Sequence, residues 1–276
     1  MTSPPPLDAD ALRARLVENG PYTALDVVTV TGSTNTDLVA AANSGAADRT
    51  VLVAEEQQAG RGRMRRSWVS PRHYGLHVSV LLRPVVAAHS ALSWVPLLAG
   101  TALAETVRET TGLDAVLKWP NDLLLGHQRK AAGILADAVS TMDGMAVVLG
   151  MGVNVHHEPS DLPESAGGLP ATSLAAEGVK VDRTELLATL LERLSRAEYQ
   201  WRTGATDGVE RGLLERYRAL CSTLGMRVRV ELGGSRVLEG TARDVDEHGR
   251  LVVRGRDGVR TPLSAGDVVH LRPAES

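Results

Sequence analysis

The run Val51-Leu52-Val53-Ala54-Glu55-Glu56-Gln57-Gln58-Ala59-Gly60-Arg61-Gly62-Arg63-Met64-Arg65-Arg66-Ser67-Trp68 joins an apolar segment to a polar one, and the fold turns on how it is read. Val51 to Ala54 has the continuous, β-branched character of a buried strand. From Glu55 to Tyr74 almost no apolar residue occurs, and a loop of that length is not an idle connection. Gly60-Arg61-Gly62 begins like a dinucleotide fingerprint but lacks the third glycine, so a doubly wound dinucleotide fold fails here. Five arginines fall between residues 61 and 72, with Gly60 and Gly62 interleaved so that backbone amides can approach a ligand. Guanidinium forks at this density suit polyphosphate oxygens, to which each donates paired charge-assisted hydrogen bonds. For the arginines alone a solvated basic loop is the simpler reading. Their place after a buried strand and before Trp68 favours function.

Upstream, Asp8 can cap a short amphipathic helix carrying Leu12 and Leu16 and stopped by Gly20 and Pro21. Leu25 to Val30 reads as a strand, Gly32-Ser33-Thr34-Asn35 as a turn, and residues 36 to 43 as a helix. Downstream, Leu76 to Leu82 is a strand ended by Pro84. Ser93 is expected to cap a helix running to Thr111, with Pro96 tolerated in its first turn. Ala115 to Lys118 forms a short strand broken by Trp119-Pro120-Asn121-Asp122. Gly133 to Val139 and Met145 to Val153 are two strands joined at Asp143-Gly144. Asp182-Arg183-Thr184-Glu185 opens a long helix with one leucine face, Leu186, Leu187, Leu190, Leu191 and Leu194. A further helix spans residues 212 to 220. Beyond Gly225 the chain breaks into short β-rich runs punctuated by glycine, Val228 to Leu232, Val237 to Ala242, Leu251 to Arg254 and Val268 to Leu271, which suits a small barrel.

At 276 residues, one sizeable core plus a small satellite is the natural arrangement, and residues 1–222 and 223–276 are the expected domains. Apolar residues at 43% and charged residues at 23% are the balance of an ordinary globular protein. A net charge of -3 argues against a chain devoted to gripping nucleic acid. With Cys221 as the single cysteine, an internal disulfide and a cysteine-rich metal site are excluded. The amino terminus lacks the basic-then-apolar pattern of a secretory signal, and no stretch of about 18 apolar residues occurs, so a cytoplasmic, membrane-free protein is expected. Phenylalanine is absent, so the core rests on Leu, Val and Ala.

No phosphate-binding P-loop, nucleophile elbow or His-Glu-x-x-His pair is present. What remains is a set of polar groups at strand ends. Ser33, Thr34 and Asn35 sit where a strand meets a helix, a place where hydroxyls and amides converge on ligands; a plain helix cap explains them equally. Gln57 could offer a bidentate amide. Lys118 closes an apolar strand, either snorkelling to the surface or pointing into a cleft. Asn154 ends another strand, where turn chemistry is the simple explanation. The gathering of these groups on one expected sheet is more telling than any member.

In order, Gly32-Ser33-Thr34-Asn35, Glu56 to Arg63 with Arg66 and Trp68, Lys118-Trp119-Pro120-Asn121-Asp122, Lys130-Ala131-Ala132-Gly133-Ile134-Leu135 and Gly150-Met151-Gly152-Val153-Asn154 resemble the biotin protein ligase family over residues 25 to 272. The resemblance implies an α+β fold, a mixed β-sheet flanked by helices like the class II synthetase-related biotin/lipoate ligase domain, followed by a small SH3-like β-barrel. It implies that biotin and ATP are substrates and Mg2+ a helper ion, with no metal ligands nameable from the sequence. Biotin would become biotinyl-5'-AMP and then pass to a lysine of a biotin carboxyl carrier protein. By resemblance Ser33, Thr34, Asn35, Gln57, Gly60, Arg61, Gly62, Arg63, Lys118 and Gly133 contact biotin. Arg63, Arg66, Trp68, Lys118, Asn121 and Asn154 serve ATP or the adenylate, with Lys118, Arg61 and Arg63 as the catalytic cations.

Two departures stand out. The family loop usually places glycine where this chain has Arg65. Bifunctional members carry a DNA-binding segment of about 60 residues before the core, and only 31 residues precede Gly32 here, so no DNA-binding role is expected. Because water destroys an acyl-adenylate, residues 60 to 72 are expected to order over the product and to loosen without ligand. A lipoate ligase is the nearest rival, which the Gly-Arg-Gly-Arg segment disfavours. A biotin-sensing repressor and a nucleotide-binding structural protein are the others.

Overall fold

The computed structural model describes residues 3–84, 89–165, 168–203, 211–232, 237–264 and 267–270; the side chain of Arg65 and the expected strand end at Leu271 lie outside the described residues. Its elements are α1 (Ala9–Arg13), β1 (Ala24–Val28), α2 (Thr34–Asn43), β2 (Thr50–Ala54), β3 (Gly60–Arg61), β4 (Ser67–Trp68), β5 (Gly75–Leu82), α3 (Val95–Thr111), β6 (Val116–Lys118), β7 (Asp122–Leu125), β8 (Arg129–Thr141), β9 (Gly144–Asn154), α4 (Arg183–Thr203), α5 (Arg211–Leu220), β10 (Arg227–Glu231), β11 (Val237–Val245), β12 (Leu251–Gly255), β13 (Arg260–Leu263) and β14 (Asp267–His270).

A mixed seven-stranded sheet runs in the order β1-β2-β5-β9-β8-β7-β6. Its β1–β2 pair is parallel and every other pair antiparallel. Strand alternation sorts its two faces. Leu76, Val78, Val80 and Leu82 of β5 join Leu149, Met151 and Val153 of β9 in the main core. The opposite face of the same strands carries small and polar residues at the site end, Ser79, Gly150 and Gly152, and a lesser apolar cluster of Leu38, Ala42, Leu81, Ala146 and Val148 beneath α2. One face therefore supplies burial and the other leaves room for a cavity.

Most helix expectations match within a residue or two. Asp8 accepts the amide of Ala11 at 2.9 Å, and α1 then widens into a π-helical turn through Glu18 that buries Leu16. Asp182 accepts the amides of Thr184 at 2.7 Å and Glu185 at 3.3 Å at the start of α4, whose leucine face is fully buried. Ser93 departs from its expected role as a cap. A 3₁₀ turn, His89–Trp94, precedes α3, and the Ser93 hydroxyl donates to the carbonyl of His248 in the second sheet.

That second sheet is antiparallel, in the order β13-β12-β11-β10-β14, with a register shift between Ala242 and Asp244. Among the described residues β13 and β14 do not pair, so the sheet is not closed into the barrel expected, while its five antiparallel strands fit a small SH3-like domain. A closed barrel would need its two edge strands hydrogen-bonded to each other. Its β11–β12 turn docks on the larger unit instead. Trp94 Nε1 donates to Glu247 O at 2.7 Å, Ser93 to His248 O, and Trp119 Nε1 to Gly249 O at 3.1 Å. Three successive carbonyls are thus satisfied by side chains of the neighbouring unit at a turn of which only Gly249 is buried.

Candidate active site

On the α2 face of the large sheet, the long loop after β2 folds back as a short hairpin and closes a cavity. Gly60 pairs with Trp68 and Arg61 with Ser67, and Gly62 N donates to Arg66 O at 2.7 Å. Gly60 has no alternative here, because a Cβ would stand 2.4 Å from the Trp68 carbonyl oxygen. The left-handed residue of the turn is Met64, at φ 55°, ψ 35°. Placing a side chain in that region costs roughly 1–2 kcal/mol, so the hairpin turns at some expense.

The floor of the cavity is made by absence of side chains. Gly133 of β8 faces Gly152 of β9 in register, and the Trp68 indole lies across both. A Cβ on Gly152 would stand 2.6 Å from Trp68 Cε2, and one on Gly133 would stand 3.3 Å from its Cζ3. Two residues along, a Cβ on Gly150 would collide with the Asn35 amide at 2.0 Å. Glycine in a strand weakens it and marks close approach of something flat; here three of them admit an indole and an amide. The indole Nε1 is buried without a hydrogen-bond partner.

At one end of this slot Thr34 donates both its amide and its hydroxyl to Gln57 Oε1, at 2.9 and 3.1 Å. Ser79 lies 2.7 Å from the Thr34 hydroxyl and donates to Asn35 Oδ1 at 2.6 Å. Asn35 in turn donates to Asp137 at 2.9 Å, and Arg61 lies 4.0 Å from the same carboxylate oxygen. Ser33 occupies the N-cap position of α2 but makes no capping hydrogen bond, so its buried hydroxyl is not spent on the helix.

The other end is cationic. Arg63 donates to Asn121 Oδ1 at 3.3 Å, and Asn121 donates to Ile134 O at 3.0 Å, which fixes that amide's orientation. Lys130 Nζ lies 2.7 Å from Asp122 Oδ1, and Lys118 Nζ lies 3.9 Å from Asp122 Oδ2. Lys118 is 4% exposed, which rules out the snorkelling alternative.

The cavity is lined by Ser33, Thr34, Asn35, Gln57, Arg61, Gly62, Arg63, Arg66, Trp68, Asn121 and Gly133, all singled out from the sequence. Three others stand beside this lining. Gly60 acts through its missing Cβ, Lys118 lies against Asp122, and Asn154 Nδ2 donates to Thr172 O at 2.9 Å. Sequence reasoning missed Lys130 and Asp122 as individual residues, although both lie inside quoted motifs, and it missed the floor role of Gly150 and Gly152. The usable signal for Lys130 was its position three residues before Gly133, on the same strand as the floor.

These geometries define a ligand-sized cavity with an indole wall, hydroxyl and amide groups at one end and cations at the other. Residues 27–154 match the model of the biotin/lipoate A/B protein ligase family, and residues 223–271 match that of the biotin protein ligase C-terminal domain. The chain is 42% identical over 275 residues to the biotin–[acetyl-CoA-carboxylase] ligase of Mycobacterium tuberculosis, covering 97% of each. It is 32% identical to the bifunctional ligase/repressor BirA of Escherichia coli, across 94% of this chain and 76% of that one. Among solved structures, the biotin protein ligase of Aquifex aeolicus in complex with biotin and ATP superposes with a TM-score of 0.75 at 25% identity, over 91% of this chain and all of that one. The chain belongs to the biotin protein ligase family.

Proposed function

We propose that this chain is an ATP-dependent biotin protein ligase, which forms biotinyl-5'-AMP and transfers biotin to a specific lysine of a biotin carboxyl carrier domain. The observation that carries this reading is the cavity itself, a glycine-floored slot under Trp68 with amide and hydroxyl groups at one end, Arg63 and Lys130 towards the other, and Arg61 and Arg66 also in its lining. Ser33, Thr34 and Gln57 complement a ureido ring, which presents one acceptor and two donors. Trp68, Ile134, Leu135 and Met151 suit its apolar bicycle and chain.

In the first step the biotin carboxylate attacks the α-phosphorus of ATP, an acyl–phosphate bond forms and pyrophosphate leaves. An anion approaches a polyanion, so Arg61, Arg63 and Lys130 offset the repulsion and hold the developing charge. Lys118 supports this group through Asp122, and Asn121 aims Arg63. Asn154 serves the nucleotide, as the family resemblance implies. In the second step a neutral carrier lysine attacks the acyl carbon, AMP departs with the bonding pair, and the amine sheds a proton.

Among the described residues no cluster of three or more His, Cys, Asp or Glu side chains could hold a metal, and the cavity carboxylate Asp122 is already paired with Lys130. Mg2+ therefore fits as a companion of the ATP phosphates, keeping several waters, where it would supply further charge neutralisation. A domain boundary at 222/223 is supported by the second sheet, which is built from residues after 226. A cytoplasmic location agrees with the described helices, none of which is long and apolar enough to cross a membrane.

The test is label transfer. Purified chain, ATP, Mg2+ and labelled biotin are expected to label a biotin carboxyl carrier domain, whereas labelled lipoate is not transferred to a lipoyl domain. Transfer of lipoate alone would overturn the biotin reading.

A further inference from the structure

The second sheet meets the large unit at the segment that carries the cavity's lysines. Ser222 donates its amide and its hydroxyl to Leu117 O, at 2.8 and 3.0 Å. Trp119 N donates to the hydroxyl of Thr223, which is fully buried, at 3.0 Å. That hydroxyl lies 3.1 Å from Nε2 of His270 in β14, and Nδ1 of the same ring lies 3.1 Å from Oε1 of Gln128 in the β7–β8 turn. Gln128 is two residues before Lys130, and Trp119 is one after Lys118. A single imidazole therefore spans the two backbone segments whose lysines bracket Asp122.

Counting hydrogens gives this chain a direction. The Trp119 N–H can only donate, so the Thr223 oxygen accepts and its one hydrogen is free to go to Nε2. An amide oxygen can only accept, so Nδ1 carries the ring proton and donates to Gln128. With Gln128 oriented in this way, every member is satisfied by neutral His270 in the Nδ1–H form. Protonating Nε2 would set two donors against each other. Burial, and to a lesser degree the Lys118 charge, hold the imidazole down at about 4, consistent with a neutral ring.

We propose that His270 is a positioning residue for the adenylation step, holding the Lys118–Asp122 segment through Thr223 and the turn before Lys130 through Gln128. It touches neither substrate. The inference rests on the ligase reading above and deepens it, because it gives the carboxyl-terminal sheet a defined task in the first half-reaction. Chemistry of this kind is sensitive to sub-ångström placement of its cations, and a misplacement of about 1 Å can cost roughly a hundredfold in rate.

Biotin-dependent exchange of labelled pyrophosphate into ATP, measured on the full chain, tests it. Thr223→Val keeps shape and removes both hydrogen bonds. It is expected to lower kcat about tenfold or more, while KM for biotin stays within about twofold because Ser33, Thr34 and Gln57 lie at the far end of the cavity. Thr223→Ser restores the hydroxyl and is expected to restore the rate. A Thr223→Val protein that folds and exchanges at the wild-type rate overturns the proposal, as does a Thr223→Ser protein that stays as slow as Thr223→Val. If Thr223→Val does not fold, ¹⁵N spectra of the wild type decide, since a proton found on Nε2 of His270 overturns it and one on Nδ1 supports it. Absence of exchange in the wild type itself would instead overturn the ligase reading.

Discussion

Lys130 and Lys118 lie 2.7 and 3.9 Å from the two oxygens of Asp122, and Lys130 is among the residues that line the cavity. Replacing Lys130 by alanine is expected to cost about 3 kcal/mol of transition-state stabilisation, the loss typical of one preorganised donor, read as a fall in pyrophosphate exchange of two orders of magnitude. Lys118→Ala is expected to show a loss of similar size. An unchanged exchange rate in Lys130→Ala would remove that lysine from the mechanism. Gly152 makes the complementary case, because a methyl group there must displace the indole of Trp68. Gly152→Ala is expected to weaken biotin binding roughly tenfold, about 1.4 kcal/mol by calorimetry. Equal affinity in that variant would show that Trp68 is no wall of the biotin site.

At the scale of elements, the arginine loop is held by its stem as much as by its tip. Glu55, which opens it, is buried against Arg183 of α4 at 2.8 Å and also accepts the amide of Leu7 at 2.6 Å. Breaking such a pair from one side leaves a buried charge uncompensated. Arg183→Leu is expected to lose about 3–5 kcal/mol of stability in urea unfolding, and a loss below about 1 kcal/mol would place the pair in effective contact with water. The β11–β12 turn gives a second element-scale test. Gly249 has φ 73°, and a Cβ there would stand 2.9 Å from Leu97 Cδ1. Gly249→Ala is expected to destabilise the protein by more than about 1 kcal/mol, visible as a lower thermal midpoint. Gly62, Arg61, Arg63, Arg66 and Trp68 were singled out from the sequence and line the cavity. The loop's two short strands were not legible, because two residues of β-structure leave no periodic pattern.

Taken whole, the molecule buries His77 and His157 behind the loop, where burial above all holds both at about 4, well below the ordinary histidine value of about 6.5. Above pH 6.5 both states of the chain hold these rings neutral. Between 6.5 and 4 the unfolded chain takes up protons that the folded chain refuses, so stability falls as pH falls through that window. Each ring contributes a slope of up to about 1.4 kcal/mol per pH unit. Urea midpoints at pH 7.5 and 5 should differ in that direction, and His77→Gln should flatten the difference; an equal dependence in the variant would assign it elsewhere.

Strand and helix order, the leucine face of α4 and the ordered motif set were readable because they depend on local periodicity and on residue types that few other sites require. The sequence also placed Ser33, Thr34 and Gln57 at adjoining strand ends. Lys118 was named from the sequence and Lys130 passed over; only the pairing of β6, β7 and β8 brings both ammonium groups to Asp122. Only the tertiary structure could show that β13 and β14 do not pair among the described residues, or join His270 to Trp119 through Thr223. Trp119 and Thr223 stand 104 positions apart and Thr223 and His270 stand 47 apart, and spacing along the chain carries no record of such contacts. Glycine motifs announced that something approaches the backbone closely; that Trp68 does so across the Gly133–Gly152 pair is a fact of packing.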